Sequence, residues 1–127
     1  MGASLVKLML VEDEIPLQRA LTEILADVGH NATSLESAEA ALDALEAAGN
    51  ALPDIVLTDL RLPGMSGLEL VSLMHKHEMW KKIPVICLSA SIPPELEHPV
   101  ADAAELRFVR KPFGIPELLE TIQEMVT

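Results

Sequence analysis

Short apolar runs alternate along this chain with amphipathic stretches of helical period, and that alternation limits the possible folds more than any other feature. It is the pattern of βα units whose strands lie side by side in a parallel sheet. Five strands are expected, near Leu5–Val11, Asn31–Leu35, Asp54–Thr58, Val85–Leu88 and Leu106–Val109. The middle ones are unbroken apolar runs, as strands covered by helices on both faces should be. Helices fill the gaps. The first is expected from about Pro16 to Val28, stopping at Gly29; the second follows a Ser37 cap through AEAALDALEAA to Gly49. The third opens on Ser66-Gly67-Leu68-Glu69, a capping box, and the fifth follows Gly114 with Pro116 in its first turn.

At 127 residues the chain fits a single domain, 1–127, long enough to bury roughly two-thirds of its unfolded surface. Aromatics make up only 2% of it, so the core must be built from Leu, Val, Ile, Ala and Met. A formal charge of −11 argues against direct nucleic-acid binding, which needs clustered Lys and Arg. The single Cys87 lies in the apolar run VICLS and reads as core filling in a reduced, cytoplasmic protein. No apolar run approaches a membrane span, and the start MGASLVKLML has neither a basic n-region nor a signal-type cleavage site. No repeat or interior linker interrupts the pattern.

In an open parallel sheet, chemistry collects beyond the carboxyl ends of the strands. The first strand ends in Glu12-Asp13-Glu14, the third in Asp59, the fourth in Ser89 and the fifth in Lys111. Taken singly, each has an ordinary structural explanation. Acids after a strand complement a helix dipole, an Asp before Pro-Gly forms turns, Ser89 satisfies a strand end, and Lys111 is a solvated lysine. Together at one sheet edge they form a different object: clustered carboxylates that repel unless a cation joins them, beside a hydroxyl and an ammonium. Mg²⁺ suits such a shallow pocket of carboxylate and carbonyl oxygens. The histidines offer no comparable site; His75 and His77 stand two apart, on different faces of the third helix. Trp80 reads as a partly buried anchor before the fourth strand and the methionines as core filler.

The segments VEDE, LTDLRLPGMSG, VICLSA and RFVRKPF, in that order, resemble the response-regulator receiver domains of two-component signalling. The spacings agree, with Asp59 thirty residues before Ser89 and fifty-two before Lys111. The resemblance implies a flavodoxin-like, doubly wound (βα)5 sandwich with strand order 2-1-3-4-5. It implies that Asp59 is the phospho-acceptor, that Glu12 and Asp13 form the acidic pair, and that Asp59 and the Arg61 carbonyl complete the protein's share of an Mg²⁺ site. Lys111 would pair with the phosphoryl group, Ser89 would be the switch hydroxyl, and Phe108 the switch aromatic. A cis Lys111-Pro112 peptide is also implied. The function that follows is a phosphoryl-accepting signalling switch, not an enzyme in the ordinary sense, which catalyses its own phosphorylation and dephosphorylation. Its donor would be a histidine kinase or histidine phosphotransfer domain, and its output an unspecified downstream protein or domain.

The sequence departs from the family's commoner residues at three of these places. Glu12 stands for Asp, Ser89 for Thr, and Phe108 for Tyr, which removes a polar handle and biases the ring inward. Arg61 and Ser91 occupy positions that in the family tune dephosphorylation. A phosphatase or phosphotransferase of the haloacid-dehalogenase type would need a second acid where Arg61 stands. A scaffold that binds partners without phosphorylation would have lost an acid or Lys111. A dinucleotide enzyme would carry a glycine-rich turn after the first strand, and none is present. The least regular segment is SIPPELEHPVADAAEL, Ser91 to Leu106. Pro93 and Pro94 are tolerable in a first helical turn, but Pro99 would cost an interior helix roughly 3 kcal/mol or more. A short, broken or irregular fourth helix, mobile relative to the core, is expected there.

Overall fold

The computed structural model describes residues 6–91 and 104–126. Five parallel strands, β1 (Lys7–Val11), β2 (Asn31–Leu35), β3 (Ile55–Asp59), β4 (Val85–Ser89) and β5 (Leu106–Arg110), form one sheet in the order β2-β1-β3-β4-β5. Four helices pack on it among the described residues: α1 (Ile15–Asp27), α2 (Ala38–Ala48), α3 (Gly67–Lys76) and α4 (Ile115–Val126), with a 3-10 turn at Trp80–Lys82. This is the expected doubly wound α/β sheet. The irregular segment expected after β4 falls, for residues 92–103, outside the described residues.

The pleat divides the core in two, because successive strand residues point to opposite faces. Leu8, Leu10, Ile55, Leu57, Ile86 and Leu88 join Leu21 and Leu25 of α1 and Leu118 and Ile122 of α4. Met9, Val11, Val56, Val85 and Cys87 join Ala41 and Leu45 of α2 and Leu70, Val71 and Met74 of α3. Both β3 and β4 are buried along their whole length, as their unbroken apolar runs require. The helix ends follow local chemistry. Ser37 Oγ accepts the Ala40 N–H at 3.0 Å, and Ser66 with Glu69 closes a reciprocal capping box on α3. In α1, by contrast, no side chain caps the start, and Pro16 in the first turn removes an amide that would lack a partner.

Strands β3, β4 and β5 each run one residue further than the apolar pattern indicates, because ladder pairing continues through Asp59↔Leu88 and Ser89↔Arg110. The backbones of Asp59 and Ser89 therefore belong to the sheet rather than to loops, while their side chains can still change rotamer. Two expectations about the core need correction. Met79 is 44% exposed rather than core filler, and Trp80 is buried rather than only partly buried. Trp80 stacks on His77 with ring centroids 3.8 Å apart, and His77 Nδ1 accepts the Met79 and Trp80 amides at 3.1 and 3.3 Å. His30, also buried, accepts the Val6 N–H. Among the described residues no helix is long and apolar enough to cross a membrane.

Candidate functional site

The chain switches faces between β1 and β3, so the loops leaving their carboxyl ends diverge and open a crevice. The register Val11↔Thr58 brings Glu12 and Asp59, the next residue of each strand, to the same edge. Ligand oxygens of Glu12, Asp13 and Asp59 lie within 4.8 Å of one another. Glu12 is fully buried and Asp59 nearly so, while Asp13 is half-exposed at the mouth.

Each oxygen of Asp59 has one donor. Its Oδ1 accepts the Arg61 N–H at 3.0 Å, and its Oδ2 accepts Lys111 Nζ at 2.6 Å. The Thr58 hydroxyl donates to the Asp59 carbonyl at 2.9 Å. Glu12 is held less completely. Its Oε2 accepts the Glu14 N–H at 3.1 Å, but Oε1 is buried without a hydrogen bond, with Lys111 Nζ 3.6 Å away.

Charge follows from this packing. Burial raises the Glu12 carboxyl above its ordinary value, the Glu14 N–H and Lys111 pull it back in part, and the neighbouring charges of Asp59 and Asp13 add to the rise. For Lys111 burial works downward, yet the hydrogen bond and charge of Asp59, with Glu12 and Glu14, outweigh it and raise the ammonium's pKa. Lys111 therefore stays a cation. One ammonium among three carboxylates leaves the pocket short of positive charge. An all-oxygen donor set with one buried carboxylate oxygen unsatisfied suits a hard divalent ion such as Mg²⁺.

The remaining residues singled out in the sequence are less uniformly gathered. Arg61 turns its backbone N–H to Asp59 while its side chain is exposed. Ser89 is at the same edge, and its carbonyl accepts the Lys111 N–H at 2.9 Å. Its hydroxyl faces elsewhere, donating to the Ser91 carbonyl at 2.6 Å and accepting the Ser91 N–H at 3.3 Å. Phe108, beside Cys87 in the β4–β5 register, is half-buried and packs on the core layer under α2 and α3. The Lys111-Pro112 peptide is cis.

Two side chains with no sequence signal of their own touch this region. Gln18, one turn into α1, donates Nε2 to the Glu12 carbonyl at 3.0 Å. Glu39 of α2 accepts the Met65 N–H at 3.1 Å across a separation of 26 residues. A mainly apolar groove of about 490 Å³ runs beside Lys111 between α1 and the start of α4, lined by Leu17, Ala20, Ile24, Phe113 and Ile115 among others.

The chain resembles known proteins in sequence and in fold. A family model described as response regulator receiver domain matches residues 8–123. The probable transcriptional regulator ycf29 of Pyropia yezoensis is 34% identical over 120 residues, covering 94% of this chain and 53% of its own length. The polar-differentiation response regulator DivK of Brucella ovis is 29% identical over 115 residues, covering 91% of each chain. The chain thus spans about half the length of the first relative and nearly all of the second. Among solved structures, the receiver domain of the sensor histidine kinase PA1611 from Pseudomonas aeruginosa superposes with a TM-score of 0.77. It is 24% identical, covers 97% of this chain and 98% of that one, and is described with a magnesium ion coordinated in its active-site cleft.

Proposed function

Because this chain belongs to the response regulator receiver domain family, the phosphoryl-accepting switches of two-component signalling, we propose that Asp59 is its phosphoryl acceptor. The observation that carries the reading is the environment of Asp59: a nearly buried carboxylate fixed in a strand, with Lys111 Nζ at 2.6 Å and two further carboxylates beside it. An oxygen of Asp59 attacks phosphorus in a phosphohistidine, the O–P bond forms as the P–N bond breaks, and the imidazole leaves with a proton from solvent. The product is an aspartyl phosphate. Such a transfer depends chiefly on positioning and charge stabilisation, which a strand-borne acceptor and a fixed ammonium both serve.

Receiver domains bind Mg²⁺ at an acidic site, and here Glu12, Asp13, Asp59 and the Arg61 carbonyl would hold it. Bound there, Mg²⁺ supplies positive charge against the phosphoryl oxygens. Lys111 then exchanges its bond to Asp59 for one to a phosphoryl oxygen, a charge-assisted contact of similar strength. Ser89 must give up its contacts with Ser91 to reach the same anion. Its departure opens space beside β5 into which Phe108 turns, so that a local charge event alters the surface. The chain acts in this way on itself, first forming and later hydrolysing its own aspartyl phosphate. The donor is a histidine kinase or phosphotransfer domain, for which the apolar groove flanking Lys111 is a suitable seat.

The test uses a small phosphodonor, acetyl phosphate, and intact-mass spectrometry. The wild type gains one phosphate adduct only when Mg²⁺ is present, and Asp59→Asn gains none. An Asp59→Asn protein that takes up phosphate as readily as wild type refutes the assignment.

A further inference from the structure

The segment from Asp59 to Gly67 carries the acceptor at one end and the capping box of α3 at the other. Both ends are tightly held. The Arg61 N–H is on Asp59, and the Gly67 N–H donates to the Leu60 carbonyl at 3.0 Å. Leu60 and Leu62 are buried in the core layer under α2 and α3. Between these fixed points the chain bends at Pro63-Gly64, with Gly64 at φ 73°, the sign that the third residue of a type II turn requires. In a closed turn the Met65 N–H would return to the Leu62 carbonyl. Here it donates to Glu39 Oε2 at 3.1 Å, from a different helix.

Glu39 fits this place closely. A Cβ on Gly64 would come within 2.7 Å of the same Oε2, so the carboxylate occupies the space that a side chain at residue 64 would take. The Met65 N–H in turn holds the Glu39 carboxyl below its ordinary value, so Glu39 is ionised at neutral pH. The pairing joins α2, which has no residue in the pocket, to the turn that follows the acceptor.

We propose that Glu39 is a positioning residue for the acceptor loop: by anchoring Met65 it sets the Pro63-Gly64 bend and hence the direction of the Arg61 carbonyl toward the acidic pocket. Pro63 has a fixed φ and follows Leu62, whose side chain is buried, so few torsions separate the anchored amide from that carbonyl. Fixing one end of so short a segment removes conformations that would otherwise compete with the cation-ready one. The inference rests on the proposed role of the Arg61 carbonyl in holding Mg²⁺. Glu39 itself touches neither cation nor phosphoryl group, so its loss should appear in cation affinity and not in the chemistry of transfer.

The experiment compares wild type, Glu39→Ala, Glu39→Gln and Asp59→Asn. Each is titrated with Mg²⁺ in the unphosphorylated state, following backbone NMR signals of residues 59–65. Acetyl-phosphate labelling rates are then measured across Mg²⁺ concentrations for all but Asp59→Asn. Losing one hydrogen bond of ordinary strength corresponds to a change of roughly threefold to tenfold, so Glu39→Ala should weaken Mg²⁺ binding by about that factor. Its Met65 amide should exchange faster, and its labelling rate at saturating Mg²⁺ should equal that of wild type. Glu39→Gln keeps an acceptor oxygen and should recover most of the affinity. A Glu39→Ala protein that binds Mg²⁺ as tightly as wild type overturns the proposal. So does one whose rate at saturating Mg²⁺ falls as far as its affinity. A wild type indifferent to Mg²⁺ overturns both this inference and the reading beneath it, whereas a responsive wild type with an equally responsive Glu39→Ala removes this inference alone.

Discussion

Replacing Gly67 by alanine is a small change that the structure predicts to be severe. A Cβ there would lie 2.0 Å from the Asp59 carbonyl oxygen, 2.9 Å from its carbonyl carbon and 2.8 Å from Leu60 Cα. All three are backbone atoms, so no side chain can rotate to relieve the contact. Ordinary carbon–oxygen contacts fall near ~3.3–3.6 Å, which requires the first turn of α3 and the end of β3 to separate by about 1.5 Å. Helix propensity acts the other way and favours alanine by ~1 kcal/mol at most, since Gly67 opens α3. Overpacking costs typically ~1–3 kcal/mol even where side chains can yield, so a rigid backbone neighbour places this site at or above the upper end. The net effect should be a destabilisation of about 2 kcal/mol, read as a lower urea midpoint at unchanged slope. Because the atoms displaced belong to Asp59 itself, labelling by acetyl phosphate should also slow by about 100-fold, the scale of a 1 Å misplacement. A Gly67→Ala protein as stable as wild type, with wild-type labelling, would refute the argument that this glycine is required by close approach to the acceptor.

Two further expectations concern titratable groups. Burial pushes the Cys87 thiol up to about 12, so it should resist a thiol reagent at mildly alkaline pH in the folded protein and react fully in denaturant; stoichiometric labelling of the native state would contradict this. Burial likewise raises the Glu12 carboxyl, which means that the folded state holds this proton more tightly than the unfolded chain and loses stability as pH rises from the ordinary carboxylate range through the raised value. The penalty grows with pH across that range, so Glu12→Gln should be more stable than wild type without Mg²⁺ above it, with the gain shrinking toward acid. The same variant should bind Mg²⁺ at least ~10-fold more weakly. Urea denaturation across pH and a Mg²⁺ titration check the two halves, and a Glu12→Gln protein less stable at neutral pH would show that the sign is wrong.

What this sequence determined by itself is what short-range forces encode. The apolar runs around Val56 and Ile86 specify buried strands, and Ser37, Ser66 with Glu69, and Pro116 mark helix starts, because each acts on residues within a turn of itself. The βα alternation, with the rule that chemistry gathers at the carboxyl ends of parallel strands, also places Glu12, Asp59 and Lys111 at one edge of the sheet, where the family resemblance supplies the strand order that makes them neighbours. Tertiary structure alone decided the rest. The sequence does not say that the Ser89 hydroxyl turns to Ser91 and not to Asp59, since a serine at a strand end has both choices within reach. Nothing near Glu39 announces Met65, and nothing near Gly67 announces the carbonyl of Asp59. Those contacts exist because α2 and α3 pack side by side against one face of the sheet. Their partners are chosen by the geometry of that packing, which no local pattern of residues encodes.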